Sequence, residues 1–113
     1  MVARYIPRAG DIIWLDFDPQ TGREQAKRRP ALVVTDESFN RASGLAVVCP
    51  LTSRRKPYPF ALPTIVDKVE GAVLVDQVKS LDWSERKASF HSKASPHLLS
   101  KTRAYLEVLL GIR

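Results

Sequence analysis

Cysteine is almost missing from this chain: Cys49 is the only one in 113 residues. No internal disulfide can form, and C-x-x-C metal or redox motifs are excluded. Cys49 lies in the apolar run Ala46-Val47-Val48-Cys49-Pro50 and reads as an inert core residue in a reduced, cytoplasmic setting. Histidine is nearly as scarce. His91 and His97 match neither helical ligand spacing nor a zinc signature, so they read as solvated surface residues and no metal is expected. An acid–base pair made from them would sit in a weakly patterned segment. The five glycines form neither G-x-G-x-x-G nor a P-loop, and no serine elbow occurs. No cofactor is expected. Apolar runs are too short to span a membrane, and residues 1–11 are charged and contain proline, unlike a signal peptide.

What is present is an excess of positive charge. Eighteen basic residues against twelve acidic ones leave a net charge of +6. The cations are clustered. Arg23, Lys27, Arg28 and Arg29 stand against Glu24 alone, and Arg54-Arg55-Lys56 meet no acid until Asp67. Clustering favours a patch for an acidic partner over general solubilisation. The length suits a single domain over residues 1–113, burying roughly two-thirds of its unfolded surface.

The first two-thirds read as β. Asp11 to Phe17 is a strand with apolar residues on both faces, closed by Asp18-Pro19. A long polar loop spans 19–29. Strands follow at Ala31 to Thr35 and Leu45 to Leu51, with one helical turn, Glu37 to Asn40, between them. A short strand is expected around Phe60 to Leu62, a turn at Val69-Glu70-Gly71, and a long β run from Ala72 to Leu81. The period then switches. Ser95 is a good N-cap with Pro96 at the first helical position. Leu98, Thr102, Tyr105 and Leu109 form a stripe, and Gly111 stops the helix. Several short strands and one amphipathic helix predict a mainly β fold, a small barrel or sandwich with a helix packed on it.

Arg29 is the strongest candidate for chemistry. Pro30 pushes it into an extended conformation at a strand edge. Its guanidinium stays protonated and offers a planar fork of donors to a phosphate. Thr52 ends a buried strand before the basic loop; its hydroxyl either orients a phosphate oxygen or bonds its own backbone. In Arg54-Arg55-Lys56-Pro57-Tyr58-Pro59-Phe60, cations alternate with rings, a pattern suited to unpaired nucleic acid. Phe60 returns to the core in this reading. Asp76 interrupts an apolar run and reads as an anchor for a neighbouring loop or as a carboxylate at a site. Gln77 and Lys79 project opposite Asp76 on a regular strand. Glu24 either holds its basic neighbours or accepts from a nucleobase.

These segments, in this order, resemble the MazF/PemK family of toxin endoribonucleases. The matching pieces are Gly10 to Pro19, Gly22-Arg23-Glu24-Gln25, Arg29 to Val34, Phe39-Asn40, Pro50-Leu51-Thr52 and Asp76 to Ser80. Arg4-Tyr5-Ile6-Pro7 and Tyr58-Pro59-Phe60 look like the MazF branch. The resemblance implies an SH3-like small β-barrel with a C-terminal amphipathic helix, working as a homodimer. It implies metal-independent, sequence-specific cleavage of single-stranded RNA by 2′-hydroxyl attack, which blocks translation. The products are a 2′,3′-cyclic phosphate, or its 3′-phosphate, and a 5′-hydroxyl. The family's functional arginine falls on Arg29 and its threonine on Thr52. Glu24, Lys27, Arg28, Ser53, Arg54, Tyr58, Asp76, Gln77 and Lys79 form the expected RNA-binding or site-organising set. The implied inhibitor is an acidic antitoxin whose tail occupies the toxin groove. Another branch carries arginine where this chain has Leu74 and histidine where it has Arg23, so Asp76 is only a candidate participant. The general base stays open. The alternative is a toxin of the same barrel that poisons a protein such as DNA gyrase.

Overall fold

The computed structural model describes residues 4–17, 28–53 and 58–112. Seven strands are arranged in antiparallel pairs: β1 (Asp11–Asp16), β2 (Arg28–Val33), β3 (Leu45–Thr52), β4 (Ala61–Val66), β5 (Val69–Leu74), β6 (Lys79–Asp82) and β7 (Ser89–Lys93). Two helices complete the fold, α1 (Glu37–Ser43) and α2 (Pro96–Leu110). The strand order is β4-β5-β3-β2-β1-β7, and β6 also pairs with β3. The result is a mainly β, curled antiparallel sheet, a half-barrel, carrying a C-terminal helix. Among the described residues no helix is long and apolar enough to cross a membrane.

Strands β1, β2 and β3 are apolar on both faces because both faces are covered. Ile13, Leu15, Ala31, Val33, Ala46 and Val48 pack inside the curl with Phe17, Leu81 and Trp83. Ile12, Leu32, Val34, Cys49 and Leu51 face the other way, against Leu98, Leu99, Tyr105 and Leu106 of α2. Burial pushes the Cys49 thiol up to about 12, which fits its reading as inert. Helix α2 begins as its sequence predicts: Ser95 Oγ accepts from Leu98 N–H at 3.1 Å, and Gly111 ends it with φ +74°.

Several local expectations are corrected. Arg28 and Arg29 lie inside β2, which starts three residues earlier than expected and ends at Val33. α1 is a seven-residue helix where one turn was expected. The 72–81 run is broken by a 3-10 turn at Val75–Gln77. Leu51 pairs with Val73, yet Val48 pairs with Lys79, so this turn absorbs extra residues along one edge of β3. The turn expected at 69–71 sits instead at Asp67-Lys68, both with positive φ, as a two-residue hairpin requires. Gly71 is a strand residue; a Cβ there would lie 2.2 Å from the Thr52 carbonyl oxygen. β7 was not anticipated at all. It is a sheet edge with a single apolar residue, Phe90, and so no apolar alternation to read.

The ends of the elements are tied by one buried amide. Asn40 donates to the carbonyls of Pro7 (2.8 Å) and Thr35 (3.0 Å), and its Oδ1 accepts from the Thr35 hydroxyl at 2.6 Å. Its own carbonyl accepts from the Trp83 indole at 3.0 Å. Asn40→Ala strands several buried polar groups, each worth about 1–3 kcal/mol when unsatisfied. The expected loss of stability is about 2–4 kcal/mol, read as a lower urea midpoint with an unchanged m-value.

Candidate active-site groove

Arg29 pairs with Leu15 of β1, whose side chain is fully buried, so the backbone bearing the guanidinium is pinned to the core. Pro30 faces Trp14 on the same ladder. On the other side, β2 meets β3 with Ala31 opposite Pro50. Arg29 and Thr52 each lie two residues beyond that pair, where the β2–β3 ladder has ended. Thr52 is in turn paired with Ala72 of β5. Arg29, Thr52 and Ser53 line one groove of about 760 Å³, between the β1–β2–β3 wall and the β4–β5 hairpin. Gly71 allows that hairpin to press against Thr52, because a larger residue would strike its carbonyl.

The other expected residues are dispersed. Arg28 is held by the Asp16 carboxylate (3.0 Å), the Lys87 carbonyl (2.7 Å) and the Ser89 hydroxyl (3.1 Å), a set of contacts suited to organising the strand end. Lys79 stands over the Phe17 ring at 5.5 Å. Asp76 is exposed, not buried, and accepts from the Tyr58 hydroxyl at 2.8 Å, which ties it to the loop that carries Tyr58. Burial first, then the Asp76 carboxylate, pushes the Tyr58 phenol above its ordinary value. Gln77 is exposed in the 3-10 turn, so the alternation expected for a regular strand does not hold there. Tyr58, Asp76, Gln77 and Lys79 do not line the groove. Glu24, Lys27 and Arg54 lie outside the described residues.

The groove also contains a residue read as solvated surface. The His91 side chain is only 11% exposed and packs edge-on to Trp14, centroids 5.4 Å apart. Its Nε2 is 2.7 Å from Asp67 and its Nδ1 2.7 Å from the Ser92 hydroxyl. The cause is a bulge. Ile12 pairs with Ser92 and Ile13 with Phe90, leaving His91 as the extra residue. A bulge on an unrecognised edge strand leaves no periodic signal. Among the described residues no cluster of three or more His, Cys, Asp or Glu is placed to hold a metal ion.

Residues 8–110 match the family model described as PemK-like, MazF-like toxin of type II toxin-antitoxin system. The chain belongs to this family. It is 40% identical to the endoribonuclease toxin MazF of Escherichia coli (strain K12) over 111 residues, 98% of this chain and 100% of that one. It is 30% identical to the endoribonuclease PemK of Escherichia coli, covering 97% and 90% of the two chains. Among solved structures it is similar to a MazE–MazF complex (Form-II) from Deinococcus radiodurans, at 44% identity and TM-score 0.88, covering 97% and 100%. The family fold is therefore the one described above, a curled sheet with its helix at the C-terminal end.

Replacing Gly71 by alanine tests how the family groove is built. The added methyl has no room beside the Thr52 carbonyl. β5 must withdraw from β3, at a cost of about 1–3 kcal/mol. A lower midpoint of thermal unfolding, together with shifted amide resonances at Thr52 and Ser53, is the expected result.

Proposed function

We propose that this chain is the toxin of a type II toxin–antitoxin system and that it cuts single-stranded RNA in the groove between β2, β3 and the β4–β5 hairpin. The observation that carries this reading is the convergence of Arg29 and Thr52, from adjacent strands, on one groove of a chain whose relatives are named endoribonucleases. A 2′-hydroxyl attacks the adjacent phosphorus. The O2′–P bond forms as O2′ gives up its proton, the P–O5′ bond breaks as O5′ takes one up from solvent, and the products are a 2′,3′-cyclic phosphate (or, after attack by water, its 3′-phosphate hydrolysis product) and a 5′-hydroxyl. Negative charge grows on the non-bridging oxygens as the phosphorane forms. Arg29 is placed to meet it with preorganised, charge-assisted hydrogen bonds, and the Thr52 hydroxyl orients one of those oxygens. Arg29 acts on charge and not as a base, because its guanidinium stays protonated. The chemistry needs no metal in this reading.

The cationic balance of the chain suits two acidic partners, RNA and an acidic antitoxin that covers the same groove. A solved relative from Deinococcus radiodurans is a MazE–MazF complex, which supports the antitoxin half of the reading. A second copy of the chain would cover the apolar end of α2, where Val108, Leu110 and Ile112 are more than 60% exposed. Poisoning of a protein target such as DNA gyrase has no observation in its favour here.

Arg29→Ala is expected to lower RNA cleavage by about 10²–10³-fold while circular dichroism and elution volume stay unchanged. Wild-type cleavage is expected to persist in EDTA. Unaltered cleavage by Arg29→Ala would overturn the assignment of Arg29, and loss of wild-type cleavage in EDTA would overturn the metal-free mechanism. Sequencing the 5′ ends of the fragments defines the bases read.

A further inference from the structure

A second cavity of about 540 Å³ lies away from the groove and shares no lining residue with it. The N-terminal segment, α1 and β7 form its walls. Four cations line it, Arg4, Arg8, Arg41 and Lys93, against two carboxylates, Asp11 and Glu37, a local balance of +2. We propose that this pocket is a second subsite for single-stranded RNA, holding a nucleotide that flanks the one cut in the groove. The proposal rests on the RNA-cleaving reading above and extends the track beyond the scissile bond.

Three observations carry it. First, two guanidiniums converge on one anionic point. Arg8 Nε lies 3.4 Å from Glu37 and Arg41 Nη2 lies 2.6 Å from the same carboxylate, while both side chains remain more than 60% exposed. Each contact uses one donor of the five on each guanidinium, so both forks keep donors for a phosphate. Second, an aromatic ring is offered beside them. Phe90 is 52% exposed and packs T-shaped with Tyr5 at 6.1 Å, which steadies a half-exposed ring on which a base can stack. Tyr5 is itself fixed through its hydroxyl, which donates to the buried Asp11, and Lys93 closes that carboxylate from the other side at 2.9 Å. Third, the pocket and the groove flank one strand. Phe90 and Lys93 face the pocket while His91, the bulged residue between them, lines the groove. Among the described residues β7 pairs with β1 alone, which leaves its outer edge as the path by which a strand of RNA crosses from one cavity to the other. Cations beside an open ring favour nucleotides over an acidic peptide, which would use the charges and leave the ring idle.

The test compares two RNAs carrying the mapped cleavage sequence, a five-nucleotide substrate confined to the groove and a 25-nucleotide unstructured one. Phe90→Ala, Phe90→Leu and the double variant Arg8→Gln/Arg41→Gln are assayed on both. For the long RNA, KM is expected to rise about tenfold with Phe90→Ala, with kcat unchanged. In the arginine variant the salt dependence of KM is expected to flatten by about 0.7 in log–log slope per lost phosphate contact. The short RNA is expected to be cut as by the wild type. Equal losses on both substrates, or none on the long one, would overturn the subsite. Binding of a 2′-O-methyl 25-mer, read by fluorescence anisotropy, tests the pocket even if no cleavage is found; a protein that binds it through these residues without cutting either RNA would overturn the nuclease reading alone. Unchanged RNA binding by the variants, with weakened binding of a glutamate-rich peptide, would make the pocket a peptide site and also overturn the proposal.

Discussion

Strand β3 is paired along both edges and covered on both faces, and the rest of the molecule is arranged around that demand. Its inward residues, Ala46 and Val48, need the curl of the sheet to close over them. Its outward residues, Cys49 and Leu51, need α2. One edge takes β2, and the other takes β6 and then β5, with the 3-10 turn absorbing the change of register. The groove appears where this double pairing ends. At Thr52 the strand is leaving the layered core, so a polar side chain is tolerated on a backbone still fixed by its neighbours. Arg29 reaches the same point from β2 for the same reason. Rigid backbone with polar side chains at its end is what preorganised electrostatics requires.

Much of the positive charge is already committed to the framework. Arg28 grips carbonyl and carboxylate groups at the end of β1, and Arg86 Nη1 donates to the Asp16 and Phe17 carbonyls. Arg103 of α2 donates twice to the Val34 carbonyl, at 2.6 and 3.1 Å, and so fastens the helix to the strand beneath it. These guanidiniums satisfy carbonyls that the sheet leaves unpaired at its margins. The net charge of +6 therefore overstates what is available to a ligand; Arg8 and Arg41, with side chains more than 60% exposed, are among the cations that remain more open.

The fold was legible in the sequence wherever a local signal had a single meaning. Ser95-Pro96 and Gly111 bracket α2 because capping chemistry is short-range. The apolar runs of β1 to β3 announced strands covered on both sides. Gly71 misled because glycine has two uses; here it permits close approach of backbones and does not mark the turn, which two positive-φ residues, Asp67 and Lys68, make instead. β7 was silent because an edge strand has little to bury, and His91 was misjudged with it. Of the site, the order of motifs singled out Arg29 and Thr52, which line one groove. Asp76 was read as a strand residue, and the 3-10 turn moves it to the surface beside Tyr58. Contacts formed across long sequence separation, such as His91 with Asp67, leave no trace in local pattern.

Among the described residues the half-barrel does not close on itself, and its strand order ends at β4 and at β7. Each carries a device against polymerisation. β4 contains Pro63, which has no N–H to offer a foreign strand, and β7 carries Lys93 and the bulge at His91, which breaks the even spacing that an incoming strand would need. The irregularities of β4 and β7 thus act as guards against edge-to-edge pairing and amyloid-like stacking.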